Sequence, residues 1–207
     1  MHTPTPPLLS YHLTICGLAE LTGHAARGVS HVLSILDPTW PEPEAFDAYE
    51  VHERVVLRFD DIVGARDGAR APAETDVAAI LDLGERLDHA ASHLLIHCHA
   101  GISRSTAAAI ILMARANPGR EREIFRELKR LRPKSWPNAL MLEFADRLLG
   151  RDGALIAPLK AHQRQIIAEF PEFAAMLRQS DRAHEVTALD GDDLNWPTLT
   201  QLAAPPR

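Results

Sequence analysis

Apolar residues fall into two rhythms along the chain. In the first hundred residues they come as short runs, several of them alternating. Tyr11-His12-Leu13-Thr14-Ile15-Cys16 predicts a first strand, Val29 to Leu36 a second, and His52 to Phe59 a third. A fourth covers residues 93–97. Gly17 to Gly28 reads as a short helix or turn, and Asp37 to Glu44, with three prolines, as a loop. Elsewhere the period is helical. Val77, Ile80, Leu81, Gly84 and Leu87 predict a helix capped by Thr75, and an Ala-rich helix runs from about Ser105 to Ala116. Ile124, Phe125, Leu128 and Leu131 mark a helix stopped by Pro133. Leu140, Met141, Phe144 and Leu148 mark another, with Pro137 in its first turn and Gly150 past its end. Strands interleaved with helices predict an α/β fold: a central, mostly parallel sheet of four to five strands flanked by helices, with extra C-terminal helices.

The same pattern divides the chain. Residues 1–9 are a Pro-rich lead-in, residues 10–150 a main domain, and residues 151–179 a helical extension broken at Pro171 that pads the domain. Residues 180–207 are acidic and Pro-containing and read as a loose tail, with Trp196-Pro197 as a possible anchor. The net charge of −6 disfavours nucleic acid as a partner. The basic cluster Arg126 to Lys134 fits the solvated face of a helix, or else a docking patch for an anionic substrate. No apolar run is long enough to span a membrane, and the first residues lack the pattern of a secretory signal. With two cysteines and no disulfide framework, the expectation is a reduced, cytoplasmic protein.

Against that background one stretch carries chemistry: His97-Cys98-His99-Ala100-Gly101-Ile102-Ser103-Arg104-Ser105-Thr106. It joins an apolar strand to a helix, so its amides face the positive end of the helix dipole and favour an anion. A cysteine there is a candidate thiolate nucleophile, and Arg104 can fork two N–H groups onto a phosphate. Gly101 suits close backbone approach.

These residues match His-Cys-x-x-Gly-x-x-Arg-Ser/Thr, and the chain resembles the cysteine-dependent protein tyrosine and dual-specificity phosphatases, nearest their dual-specificity or atypical bacterial branch. The resemblance covers about residues 10 to 150 and implies the phosphatase fold. It also implies a phosphomonoesterase working through a phosphocysteine on Cys98. Arg104 and the loop from His99 through Ala100, Gly101, Ile102 and Ser103 would bind the phosphoryl group, and Ser105 would assist the thiolate as leaving group. No metal or other cofactor is implied. The expected substrate is a phosphorylated protein, phosphotyrosine first, or a small aryl phosphate ester.

The family's general acid is an Asp after the strand that precedes the Cys strand. Asp61 is preferred to Asp60, with Asp67 third. The Trp-Pro-Asp acid loop of the tyrosine-specific members is absent, since none of the three Trp-Pro pairs is followed by Asp. Asn138 either positions the hydrolytic water or caps a helix. His97 either orients the nucleophile or moves a proton, the first being preferred, and His99 faces outward toward solvent or substrate. Cys16 is a buried strand cysteine or a partner that traps oxidised Cys98. Two other readings stay open: a pseudophosphatase that binds phosphorylated partners without turnover, and, less well matched, a rhodanese-like sulfur transferase.

Overall fold

The computed structural model describes residues 6–180 and 182–190. Among these the chain forms four strands and seven α-helices: β1 (His12–Gly17), β2 (His31–Leu36), β3 (Glu53–Arg58), α1 (Glu74–Ala90), β4 (His93–Cys98), α2 (Arg104–Ala116), α3 (Glu121–Leu131), α4 (Ala139–Leu148), α5 (Ile156–Glu169), α6 (Pro171–Arg178) and α7 (Ala183–Asp190). Short 3₁₀ turns cover Leu18–His24 and Glu44–Ala48. The strands make one parallel sheet in the order β1-β4-β2-β3. Strand β4, which ends in Cys98, is central. Its six residues are all buried, as a strand covered on both faces requires.

Alternation along the strands sorts side chains between two layers. Leu13, Ile15, Leu33, Ile35, Leu94, Ile96 and Cys98 point into the larger core, against the small residues and isoleucines of α2 and against α1 and α4. Cys16, Val32 and Leu95 point the other way, beneath Leu21 and Val29. The two cysteines therefore lie on opposite faces of the sheet. Cys16 pairs in register with His97 and not with Cys98. A Cys16–Cys98 disulfide would need the backbone to move, so the redox-partner reading of Cys16 is set aside. Burial pushes the Cys16 thiol up to about 12, which keeps it protonated.

Three local expectations change. Helix α1 begins at Glu74, so Thr75 lies inside its first turn. Capping falls to Asp76, whose carboxylate accepts the Ala73 N–H at 2.8 Å and pairs with Arg70 at 2.8 Å. Pro137 precedes helix α4 instead of opening it, because Asn138 is the N-cap and accepts the Met141 N–H at 3.1 Å. The stretch after Ser180 was expected to be loose, yet residues 183–190 form α7. Its Val186 and Leu189 complete an apolar cluster with Trp136, Ile166, Phe173 and Leu177, and Ile102 of the anion loop packs against that cluster. Trp196-Pro197 lies outside the described residues. Among the described residues no helix is long and apolar enough to cross a membrane.

Candidate active site

The loop between β4 and α2 lies at the C-terminal edge of the parallel sheet, where such folds place their ligands. Its shape follows from where its carbonyls go. His99 O accepts from the Leu18 N–H at 2.9 Å, and Ile102 O from the Trp136 N–H at 2.8 Å. Ala100 O and Gly101 O accept from Arg132 at 3.1 and 3.0 Å. Ser103 O accepts from Thr106 Oγ1 at 2.8 Å and from the Ala107 N–H at 2.9 Å. Five successive carbonyls are thus bound to groups outside the loop. In a trans peptide the next N–H points opposite its carbonyl, so the amides of residues 100–104 face inward. That is a cradle of donors at a helix N-terminus, suited to an anion.

Packing holds the cradle closed. Gly101 sits at φ +70°, and a Cβ on it would lie 2.5 Å from the Cys16 carbonyl carbon. Only glycine fits this contact without moving β1. Arg132 is itself fixed by a two-pronged pair with Glu20, at 2.8 and 2.7 Å. Glu20 did not stand out in the sequence, and Arg132 stood out only within the basic cluster Arg126 to Lys134 and as an Arg-Pro pair ahead of Asn138, a segment that resembles one near the active site of dual-specificity phosphatases. An Arg before a Pro at a helix end carries no local signal that it will reach back thirty residues.

Within the loop, Cys98 Sγ lies 3.2 Å from Ser105 Oγ, and both residues are buried. Arg104 is 2% exposed. Its Nη1 donates to Asp37 Oδ1 and to Phe59 O, both at 2.6 Å, while its Nε has no partner among the described residues. An unsatisfied guanidinium N–H buried at an anion cradle is a donor waiting for an acceptor. Asp37, just past the end of β2, went unremarked in the sequence. A carboxylate at the C-terminal edge of a predicted parallel strand was the signal available.

His97 is buried and its Nε2 meets Ser34 Oγ at 2.6 Å. Burial pushes this imidazole down to about 4, so it stays neutral and fixes the strand end rather than carrying charge. His99 departs from the expectation that it faces outward. It is half-buried, stacks on Trp40 with ring centroids 4.3 Å apart, and accepts the Asp37 N–H at 3.3 Å through Nε2. Its Nδ1 lies 3.6 Å from Asp37 Oδ2. Trp40 remains 43% exposed, an aromatic face at the rim.

The two candidate acids separate clearly. Asp60 closes its own loop: its Oδ2 accepts the Arg70 N–H at 2.7 Å and its N–H donates to Arg70 O at 2.7 Å. Asp61 instead reaches the anion loop, its Oδ1 accepting from Ser103 Oγ at 2.7 Å and from Asn138 Nδ2 at 3.0 Å. Arg182 Nη1 stands 3.6 Å from the same oxygen. Burial works to raise the Asp61 pKa. The charges of Arg182 and Arg104 and the two hydrogen bonds outweigh it and hold the carboxyl below its ordinary range. Asn138 thus does two things at once, capping α4 and holding Asp61. Asp67 has no contact with the loop among the described residues, and no cluster of metal-ligating side chains occurs among them.

No protein-family model matches the sequence, and no curated protein does. Solved structures do match. The fold is that of the cysteine-based tyrosine and dual-specificity phosphatases over about 70% of the chain, at low identity. Tk-PTP in its active form aligns with a TM-score of 0.51 and 21% identity, over 68% of this chain and 92% of that one. Human DUSP28 aligns at 0.51 and 16%, over 67% and 94%. The human tyrosine phosphatase-like serine/threonine/tyrosine-interacting protein aligns at 0.53 and 17%, over 70% and 95%.

Proposed function

We propose that this protein is a phosphomonoester hydrolase acting through Cys98, with phosphotyrosine in proteins or a similar aryl phosphate as substrate. One observation carries the reading: the buried Cys98 sits beside an inward-facing ring of amides and an Arg104 whose Nε–H is unsatisfied. Those donors match the three equatorial oxygens of a phosphoryl group in transfer, where positioning and charge stabilisation supply most of the catalysis. Trp40, exposed beside His99, offers an aromatic ring to an aryl ester.

In the first step the Cys98 thiolate forms an S–P bond as the ester P–O bond breaks. The electron pair goes to the leaving oxygen, which takes a proton from Asp61. In the second, water attacks phosphorus and gives a proton to Asp61. The S–P bond breaks with its pair returning to sulfur, which Ser105 Oγ stabilises from 3.2 Å. Because Asp61 must start protonated and its surroundings hold it ionised, turnover of esters with poor leaving groups favours acid pH.

Binding without turnover is the second reading, and the engaged state of Asp61 is what favours it. One assay separates the two: hydrolysis of an aryl phosphate in EDTA, by wild type and Cys98→Ser, from pH 4.5 to 8. Turnover by wild type alone supports the hydrolase. No turnover with phosphopeptide still bound supports the binding protein, and turnover by Cys98→Ser removes Cys98 as nucleophile.

A further inference from the structure

The chain after residue 150 lies outside the part whose sequence resembles a phosphatase, yet one of its residues enters the site. Arg182 precedes α7, and its side chain is 13% exposed. Its Nη1 donates to Ser103 Oγ at 2.7 Å and stands 3.6 Å from Asp61 Oδ1. The other end of the guanidinium is gripped by Glu185, which is fully buried and donates nothing. Arg182 Nη2 reaches Glu185 Oε2 at 3.0 Å, and Nε bonds Oε1. Glu185 Oε2 also accepts the Trp136 indole N–H at 2.9 Å. The Trp136 backbone N–H in turn holds Ile102 O of the anion loop.

We propose that Arg182 is a positioning residue of this site: it clasps Ser103 of the anion loop and Asp61 of the neighbouring loop, so that the C-terminal helices complete the constellation. The proposal rests on the reading of Asp61 as proton donor. The network is closed and, apart from the half-buried Asp61, largely buried, which fixes its geometry and makes each charge dependent on the next. A mere strut would need no cation. An apolar side chain would fill the space, whereas a guanidinium aimed at Ser103 and Asp61 sets both their orientation and their charge.

The charges around Asp61 come from several elements. Arg182 and, behind it, Glu185 belong to the C-terminal segment, Arg104 to α2 with Asp37 across it, His99 to the anion loop, and Asp60 to its own loop. Removing Arg182 takes away the largest attractive charge among these and leaves the others in place. Asp61 then keeps its proton to higher pH.

The test uses the full chain as wild type, Arg182→Met, Arg182→Lys and Glu185→Gln. It reads kcat/KM against pH on a phenyl phosphate ester, a poor leaving group. It also reads the Asp61 carboxyl carbon by NMR titration. In Arg182→Met the basic limb of the profile moves to higher pH, so that above the optimum the variant keeps a several-fold larger share of its own maximum. Arg182→Lys returns the limb toward wild type. Glu185→Gln moves it the other way, because Arg182 loses its competing carboxylate; this variant decides the matter if Arg182→Met does not fold. Limbs that coincide in all four proteins overturn the proposal, whatever happens to the maximal rates. If no protein turns over, the NMR titration decides. A shifted Asp61 keeps the clasp while the hydrolase reading falls, and an unshifted Asp61 removes the clasp.

Discussion

Arg104 Nη1 donates to Asp37 Oδ1 at 2.6 Å, a contact that joins the start of α2 to the end of β2. With Phe59 O accepting from the same nitrogen, the guanidinium is anchored, and its buried Nε is left unpaired among the described residues. Anchoring of this kind lowers the ordering cost of binding and fixes the fork in plane.

The tether predicts the behaviour of Asp37→Asn. Loss of the carboxylate frees Arg104 to sample other orientations, and misplacement by about 1 Å lowers kcat/KM on the order of tenfold to a hundredfold. Inhibition by inorganic phosphate weakens in parallel, because the same fork binds it. Steady-state kinetics and phosphate inhibition of the two proteins check this. Unchanged constants for both would show that Asp37 has no part in aiming Arg104.

Gly101→Ala tests the cradle itself. The residue holds φ +70°, where a side chain costs about 1–2 kcal/mol, and its Cβ would meet the Cys16 and Gly17 backbone at 2.5 and 2.6 Å. Backbone cannot yield as a side-chain tip can, so the loop shifts outward and its amides lose their convergence. The expected result is a lower melting temperature together with at least about tenfold weaker phosphate inhibition. A variant with wild-type values of both would mean that the loop tolerates a wider spacing from β1.

Two buried histidines give a pH dependence of stability. His97 and His162 are both pushed down to about 4 by burial, from an ordinary 6.5. Between those values the unfolded chain binds protons that the folded protein refuses, so stability falls as pH drops from about 6.5 toward 4 and is complete above 6.5. Each group contributes up to about 3 kcal/mol to that loss. Urea unfolding at pH 7 and pH 4.5 measures it. His162→Gln, which keeps a hydrogen-bonding group for Ser135 Oγ, has a shallower pH dependence than wild type. An equal slope in both proteins would remove His162 from the account.

Strands, helices and the Cys98 loop were legible because their information is local. Alternation gave β1 and β3, short apolar runs gave β2 and β4, helical periodicity gave α1 to α6, and the fixed spacing of His97, Cys98, Gly101, Arg104 and Ser105 gave the loop. Choosing Asp61 over Asp60 was a preference in the sequence. Adjacent residues in a loop share composition and differ only in which way they point, so the contact with Ser103 becomes visible only in the fold.

What the sequence determined by itself, then, is the order of elements and the Cys98 loop, each written within a dozen neighbouring residues. Tertiary structure alone decided the rest. Asp37 meets Arg104 across 67 positions, Arg132 meets Glu20 across 112, and Arg182 meets Ser103 across 79. Such pairs are created by parallel strands and helices returning to one edge of the sheet. A charged side chain whose partner is that far away leaves no periodicity and no local pattern to read. The tail reading gave way over residues 183–190 for this reason: α7 is short and locally unremarkable, and it is held by burial of Val186 and Leu189 and by the Glu185 network, all supplied by distant parts of the chain.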